Sequence, residues 1–156
     1  MDFATRDLAF AIGHHLLIFA LAAVLAFEIG TVKQALTAND IRRTGRVDTW
    51  YGILAALIIV VGFARANFGA KGWAYYSVNT FFWAKIAAFV IVGLLSIWPT
   101  VALIRWRGAL KTDPDFLPAP AMIATVRRFL WAEVFFFALI PAFAAAMARG
   151  YGMPSG

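Results

Sequence analysis

Four apolar runs, separated by short charged stretches, set the pattern of this chain. The first, Leu8 to Val32, contains no Lys, Arg or Asp. The second is uncharged from Thr49 to Ala64, the third runs from Thr80 to Ile104, and the fourth from Phe129 to Ala148. A helix that crosses a bilayer needs about 20 predominantly apolar residues. Each run therefore predicts one crossing, with spans at about 8–30, 49–68, 80–104 and 129–148. The second reaches full length only by drawing in Arg65, and the fourth only by including Glu133.

The polar stretches fix an orientation. Lys33 to Asp48 carries Lys33, Arg42, Arg43 and Arg46, and Arg105 to Arg128 carries Arg105, Arg107, Lys111, Arg127 and Arg128. Within the latter, 113–120 is rich in Asp and Pro and reads as an irregular loop. Basic connections stay in the cytoplasm, so both termini are expected on the outer, periplasmic side. The third connection, Asn67 to Asn79, carries Trp73, Tyr75 and Tyr76 and suits the outer interface. Trp98-Pro99 predicts a kink in the third span. The fold class expected is an all-α integral membrane protein, a four-helix transmembrane bundle forming one domain over 1–156. The location expected is the bacterial cytoplasmic (inner) membrane, multi-pass, with the lipid bilayer as the first partner.

Composition agrees. Of 156 residues, 63% are hydrophobic and 14% charged, well above the apolar share of soluble domains. A net charge of +6 would suggest nucleic acid in a soluble protein, but here the cations gather in loops, so no nucleic-acid partner is expected. The absence of cysteine removes disulfides, thiolate catalysis and iron–sulfur clusters.

Ionisable groups inside the spans carry the candidate chemistry, because such groups are costly in a membrane and mark functional sites. Every 20-residue window of the first span includes His14 and His15, whereas Glu28 can be left outside. Lys85 lies five residues into the third run, with 19 uncharged residues from Ile86 to Ile104 beyond it, so it is able to snorkel. Because the spans alternate in direction, His14, His15, Arg65, Lys85 and Met147 fall near the outer side, and Glu28 and Glu133 near the cytoplasmic side. His14 and Glu28 are 14 residues apart, hence within about 40° of one helix face. His15 points about 100° away.

Four-helix membrane bundles hold cofactors between facing helices, and histidine is the usual proximal haem ligand. His14 or His15 is thus the expected cofactor ligand (His14 through haem iron), with Met147 or Lys85 available opposite. Lys85 and Arg65 are expected to meet propionates or an anionic substrate, as the catalytic candidates. Glu28 and Glu133 are expected to relay protons or to pair structurally with Arg43, Arg127 and Arg128.

On Gly13-His14-His15, Trp50-Tyr51-Gly52, Gly62 with Arg65, Lys71-Gly72, Phe81-Phe82-Trp83-Ala84-Lys85 and Gly93-Leu94-Leu95-Ser96, the chain resembles an uncharacterised family of four-span bacterial membrane proteins. More distantly it is similar to the HemJ-type protoporphyrinogen oxidases, which carry a histidine early in the first span and a lysine early in the third. That resemblance implies haem b, with His14 or His15 and Lys85 at the matching positions. Where those enzymes tend to carry a further histidine, this chain has Val32-Lys33-Gln34.

The function expected first is a membrane redox protein that binds haem b or a porphyrin near the outer leaflet. It would act as a porphyrinogen-oxidase-like enzyme passing electrons to quinone or a larger membrane complex. The alternative is a non-enzymatic accessory or assembly subunit of such a complex, or a homo-oligomer. The third is a small proton-coupled transporter.

Overall fold

The protein, seen in a computed structural model, is described over residues 2–33 and 35–154; Gln34, named above for its place in the family comparison, lies outside them. Five helices occur among these residues: α1 (Phe3–Thr31), α2 (Ala38–Phe68), α3 (Gly72–Ser77), α4 (Thr80–Thr112) and α5 (Pro120–Ala148). All but α3 are long and apolar enough to cross a membrane. Helix starts follow local chemistry. Asp2 accepts from the Thr5 amide, Thr37 and Asp40 form a capping box, Asn79 accepts from the Phe82 amide, and Pro120 opens α5 at the position where its missing N–H costs nothing.

The helices overrun the spans expected from hydropathy. Ala38–Asp48, Arg105–Thr112 and Pro120–Arg128 are helical, so the connections at this end shrink to 32–37 and 113–119. Charge density marked these stretches as loops, yet each is amphipathic. Ile41, Thr44, Gly45 and Asp48 of α2, Leu103, Trp106 and Leu110 of α4, and Ile123, Val126 and Leu130 of α5 are buried at helical spacing. The Asn67–Asn79 connection likewise contains the short helix α3.

α1 packs along α2, α4 along α5, and α2 against α4; α1 touches α5 only slightly, and the diagonals α1–α4 and α2–α5 do not pack. The bundle is therefore a square of four antiparallel neighbours around an interior axis. One end, called here the loop end, carries the links 32–37 and 113–119. The other, the terminal end, carries both termini and α3.

The outer surface is apolar, with Phe19 69%, Val60 65% and Phe135 62% exposed. Such a surface belongs against lipid tails, which give no hydrophobic drive for helix association. The best-packed apolar core instead sits toward the loop end, around Leu25, Val32, Ile41, Leu103, Trp106 and Leu130. There the helices extend past their most apolar stretch and water can drive burial.

Hydrogen bonds and aromatic contacts tie the terminal end together. The Asp7 carboxylate accepts from the Ala70 amide, Tyr75 donates to the Met147 carbonyl, Asn79 Nδ2 donates to the Tyr151 carbonyl, and the Thr80 amide donates to the Gly152 carbonyl. Gly152, at φ 80°, adopts the left-handed conformation that this last contact requires.

Candidate functional site: two polar layers in the bundle interior

The buried stripe of α1 runs Leu21, Leu25 and Glu28, continued by Val32 at its C-cap, and His14 lies on the same stripe two turns above Leu21. This places His14 and Glu28 on the interior axis, about 21 Å apart at 1.5 Å per residue. Each belongs to a separate polar layer.

The layer nearer the loop end is acidic. Glu28 of α1, Asp48 of α2 and Glu133 of α5 are each at most 7% exposed. Asp48 and Glu133 both lie within electrostatic reach of Glu28. Tyr51, one turn from Asp48 on α2, donates its hydroxyl to Glu133 Oε2 at 3.0 Å. Thr100 of α4, next to Pro99, donates to Asp48 Oδ1 at 2.7 Å. All four long helices thus contribute a polar side chain. Glu28 Oε1 and Glu133 Oε1 are buried without a hydrogen-bond partner, as are Thr44 Oγ1 and Trp106 Nε1 nearer the loop end. Buried polar atoms are normally satisfied, so an orphan calls for an explanation in function, water or a proton.

The arginines do not answer that need. Arg107 lies within electrostatic reach of Asp48 but donates to the Gly45 carbonyl at 2.7 Å. Arg127 donates to the Val32 carbonyl, and the Arg43 guanidinium sits over the Phe27 ring at 4.9 Å. The expected pairing of Glu28 and Glu133 with Arg43, Arg127 and Arg128 does not occur. The physical reason is position: these arginines lie along the helix extensions, where Arg127 finds a main-chain carbonyl and Arg43 an aromatic ring.

The layer nearer the terminal end is basic. His14 of α1, Arg65 of α2 and Lys85 of α4 lie within electrostatic reach of one another. Gly62 of α2 makes room for the His14 ring: a Cβ there would be 3.2 Å from His14 Cε1 and 3.7 Å from Nδ1. His14 Nδ1 is buried against α2 without a partner. The Lys85 ammonium lies 5.2 Å from the centre of the Phe82 ring. Among the described residues, neither Arg65 nor Lys85 makes a side-chain hydrogen bond or ion pair. α3 covers this layer between α2 and α4, with Trp73 stacked on Phe63 and set edge-on to Phe82 and Trp83.

The sequence-derived candidates divide accordingly. His14, Arg65 and Lys85 come together, and Glu28 meets Glu133 in the second layer. His15 turns outward and its Nδ1 is 2.6 Å from the Ala11 carbonyl of its own helix. Met147 is tied through its carbonyl to Tyr75. Asp48, Tyr51 and Thr100 are not among the site candidates that the sequence offers, Tyr51 standing only in the Trp50-Tyr51-Gly52 motif. Hydropathy sets Asp48 at the polar boundary of a span, although Ile41, Thr44, Asp48, Tyr51 and Ile58 share one helical stripe that places it inside.

The fit to a haem is partial. His14 offers Nε2, but its Nδ1 edge is packed on Gly62, so a macrocycle has no room on the α2 side. His15 is turned away from that position. Among the described residues, no three His, Asp or Glu side chains converge closely enough to hold a metal ion.

A family model described as a predicted membrane protein (DUF2214) matches residues 6–152. No curated protein and no solved structure matches the chain.

Proposed function

We propose that this chain, which belongs to the DUF2214 family of predicted membrane proteins, is a small proton-coupled membrane transporter whose interior carboxyl groups bind and pass protons. One observation carries this reading. Glu28 and Glu133 each keep a buried carboxyl oxygen without any hydrogen-bond partner, in an apolar bundle, beside other carboxyls rather than beside cations. Carboxyl groups in that setting exchange protons with one another and with a neighbouring hydroxyl, the chemistry used by proton relays in membranes. Tyr51 links α2 to α5 through Glu133, and Thr100 links α4 to α2 through Asp48. A change in protonation would therefore alter contacts between helices, which is the coupling a transporter needs. The spread of the three carboxyls favours protons over a divalent cation, which requires converging oxygen ligands. On this reading the arginine-rich loop end faces the cytoplasm of a bacterial inner membrane.

The test is infrared difference spectroscopy of the purified protein across a pH change. A protonated-carboxyl band that disappears in Glu133→Gln or Glu28→Gln supports the reading. Spectra in which neither substitution removes such a band would refute it.

A second reading retains a haem or porphyrin on His14 Nε2, favoured by the Arg65 and Lys85 cations beside it, which suit propionates. A Soret band in wild type that is lost in His14→Ala would support it. A colourless protein after expression with haem supply would end it.

A further inference from the structure

We infer that the terminal-end layer of His14, Arg65 and Lys85 is a binding site for a phosphate group. The inference is independent of the proton reading, because it rests on the other layer.

Three half-buried basic side chains from three helices lie within electrostatic reach of one another, and the groups that act on His14 and Lys85 are all basic. Interior cations are ordinarily paired. Among the described residues, Arg65 and Lys85 have no protein acceptor, and no carboxylate is among the groups that act on His14 or Lys85. The missing partner is therefore an anion. The three donors differ in form: a planar fork, a point charge and a single ring N–H. They arrive from α1, α2 and α4, of which α1 and α4 do not pack on each other. Donors spread in this way suit an anion with several oxygens in a tetrahedral arrangement better than a flat carboxylate.

The surroundings point the same way. Gly62 holds the His14 ring close to the helix that bears Arg65, one turn away. Lys85 stands over the buried Phe82 ring, which Trp73 meets edge-on, so its charge is held beside apolar surface where pairing with an anion is stronger. The half-buried state of His14, Arg65 and Lys85 leaves part of each side chain open to a ligand. A phosphate ester reaching the site from the bilayer or a free phosphate reaching it from solution would meet the same three donors.

The experiment uses the full-length protein in two arms. In the first, inorganic phosphate is titrated into detergent-solubilised protein and binding is followed by isothermal titration calorimetry. In the second, native mass spectrometry records the lipid retained from nanodiscs of phosphatidylglycerol or of phosphatidylcholine. The expected result is saturable binding in at least one arm, with phosphatidylglycerol retained in preference to phosphatidylcholine if the source is lipid. Affinity should fall about tenfold or more in Arg65→Gln and Lys85→Met, as one lost charge-assisted hydrogen bond implies. It should be preserved in Lys85→Arg and in Arg42→Gln, which removes an exposed cation elsewhere. Wild-type protein that binds neither probe overturns the inference, and so does an equal loss in Arg42→Gln. Because wild type alone can fail this test, a poorly folding variant does not protect the inference. The infrared experiment on Glu133 can fail separately.

Discussion

Tyr51 of α2 donates its hydroxyl to Glu133 of α5 across a diagonal of the bundle on which the two helices do not pack. α4, against which both helices pack, sets their separation, and this hydrogen bond is a direct polar tie between them. Removing the hydroxyl leaves Glu133 Oε2 as unpartnered as Oε1 already is. Tyr51→Phe is expected to lower stability by about 1–3 kcal/mol, the range for orphaning a buried polar group. A double-mutant cycle with Glu133→Leu, read by thermal unfolding in detergent, should show clear coupling. Additive single effects would mean that the bond does not join the helices.

Gly45 is the second sensitive point. A Cβ at this position would run into the Arg107 side chain and displace it from the Gly45 carbonyl. Gly45→Ala is expected to cost about 1–3 kcal/mol through the lost charge-assisted bond. Gly52→Ala and Gly108→Ala, where a Cβ meets nothing within 4 Å, should be neutral or slightly stabilising. Melting temperatures of the three variants decide between these outcomes.

Gly62 sets the position of His14. Alanine there brings a Cβ to 3.2 Å from His14 Cε1, a gap that a small ring movement relieves. Gly62→Leu overpacks the α1–α2 contact and should cost about 1–3 kcal/mol. Gly13→Leu on α1, with open space around the site, is the control. Equal melting temperatures for the two leucine variants would show that the His14–Gly62 approach is not a packing constraint.

The orientation is directly testable because the chain has no cysteine. Single cysteines at exposed Arg42 and Asp115 should react with a membrane-impermeant maleimide only after cells are opened. A cysteine at exposed Lys71 should react in intact cells. The reverse pattern would invert the proposed topology.

Much of this architecture is legible in the sequence. Four spans follow from four apolar runs, and the shared level of His14, Arg65 and Lys85 follows from counting along alternating helices. What hydropathy misses lies at the loop end, where Trp106, Leu110, Ile123 and Val126 are separated by charged residues. An average over such a window reads as a loop, although the 3–4 spacing of its apolar positions describes an amphipathic helix. The same averaging put Asp48 outside. Its role depends on phase with Tyr51 and on Thr100 from a different helix, and no local pattern encodes that second partner. The destinations of Arg107 and Arg127 were equally hidden, since main-chain acceptors leave no mark in sequence.

Proton flux into proteoliposomes, driven by an imposed membrane potential and reported by an internal pH dye, tests the central claim most directly. Wild-type protein is expected to carry a flux that Glu133→Gln and Glu28→Gln abolish and Tyr51→Phe slows, while Arg42→Gln leaves it intact. Empty-liposome rates for wild type, or full flux through both glutamine variants, would contradict a proton path through these carboxyls.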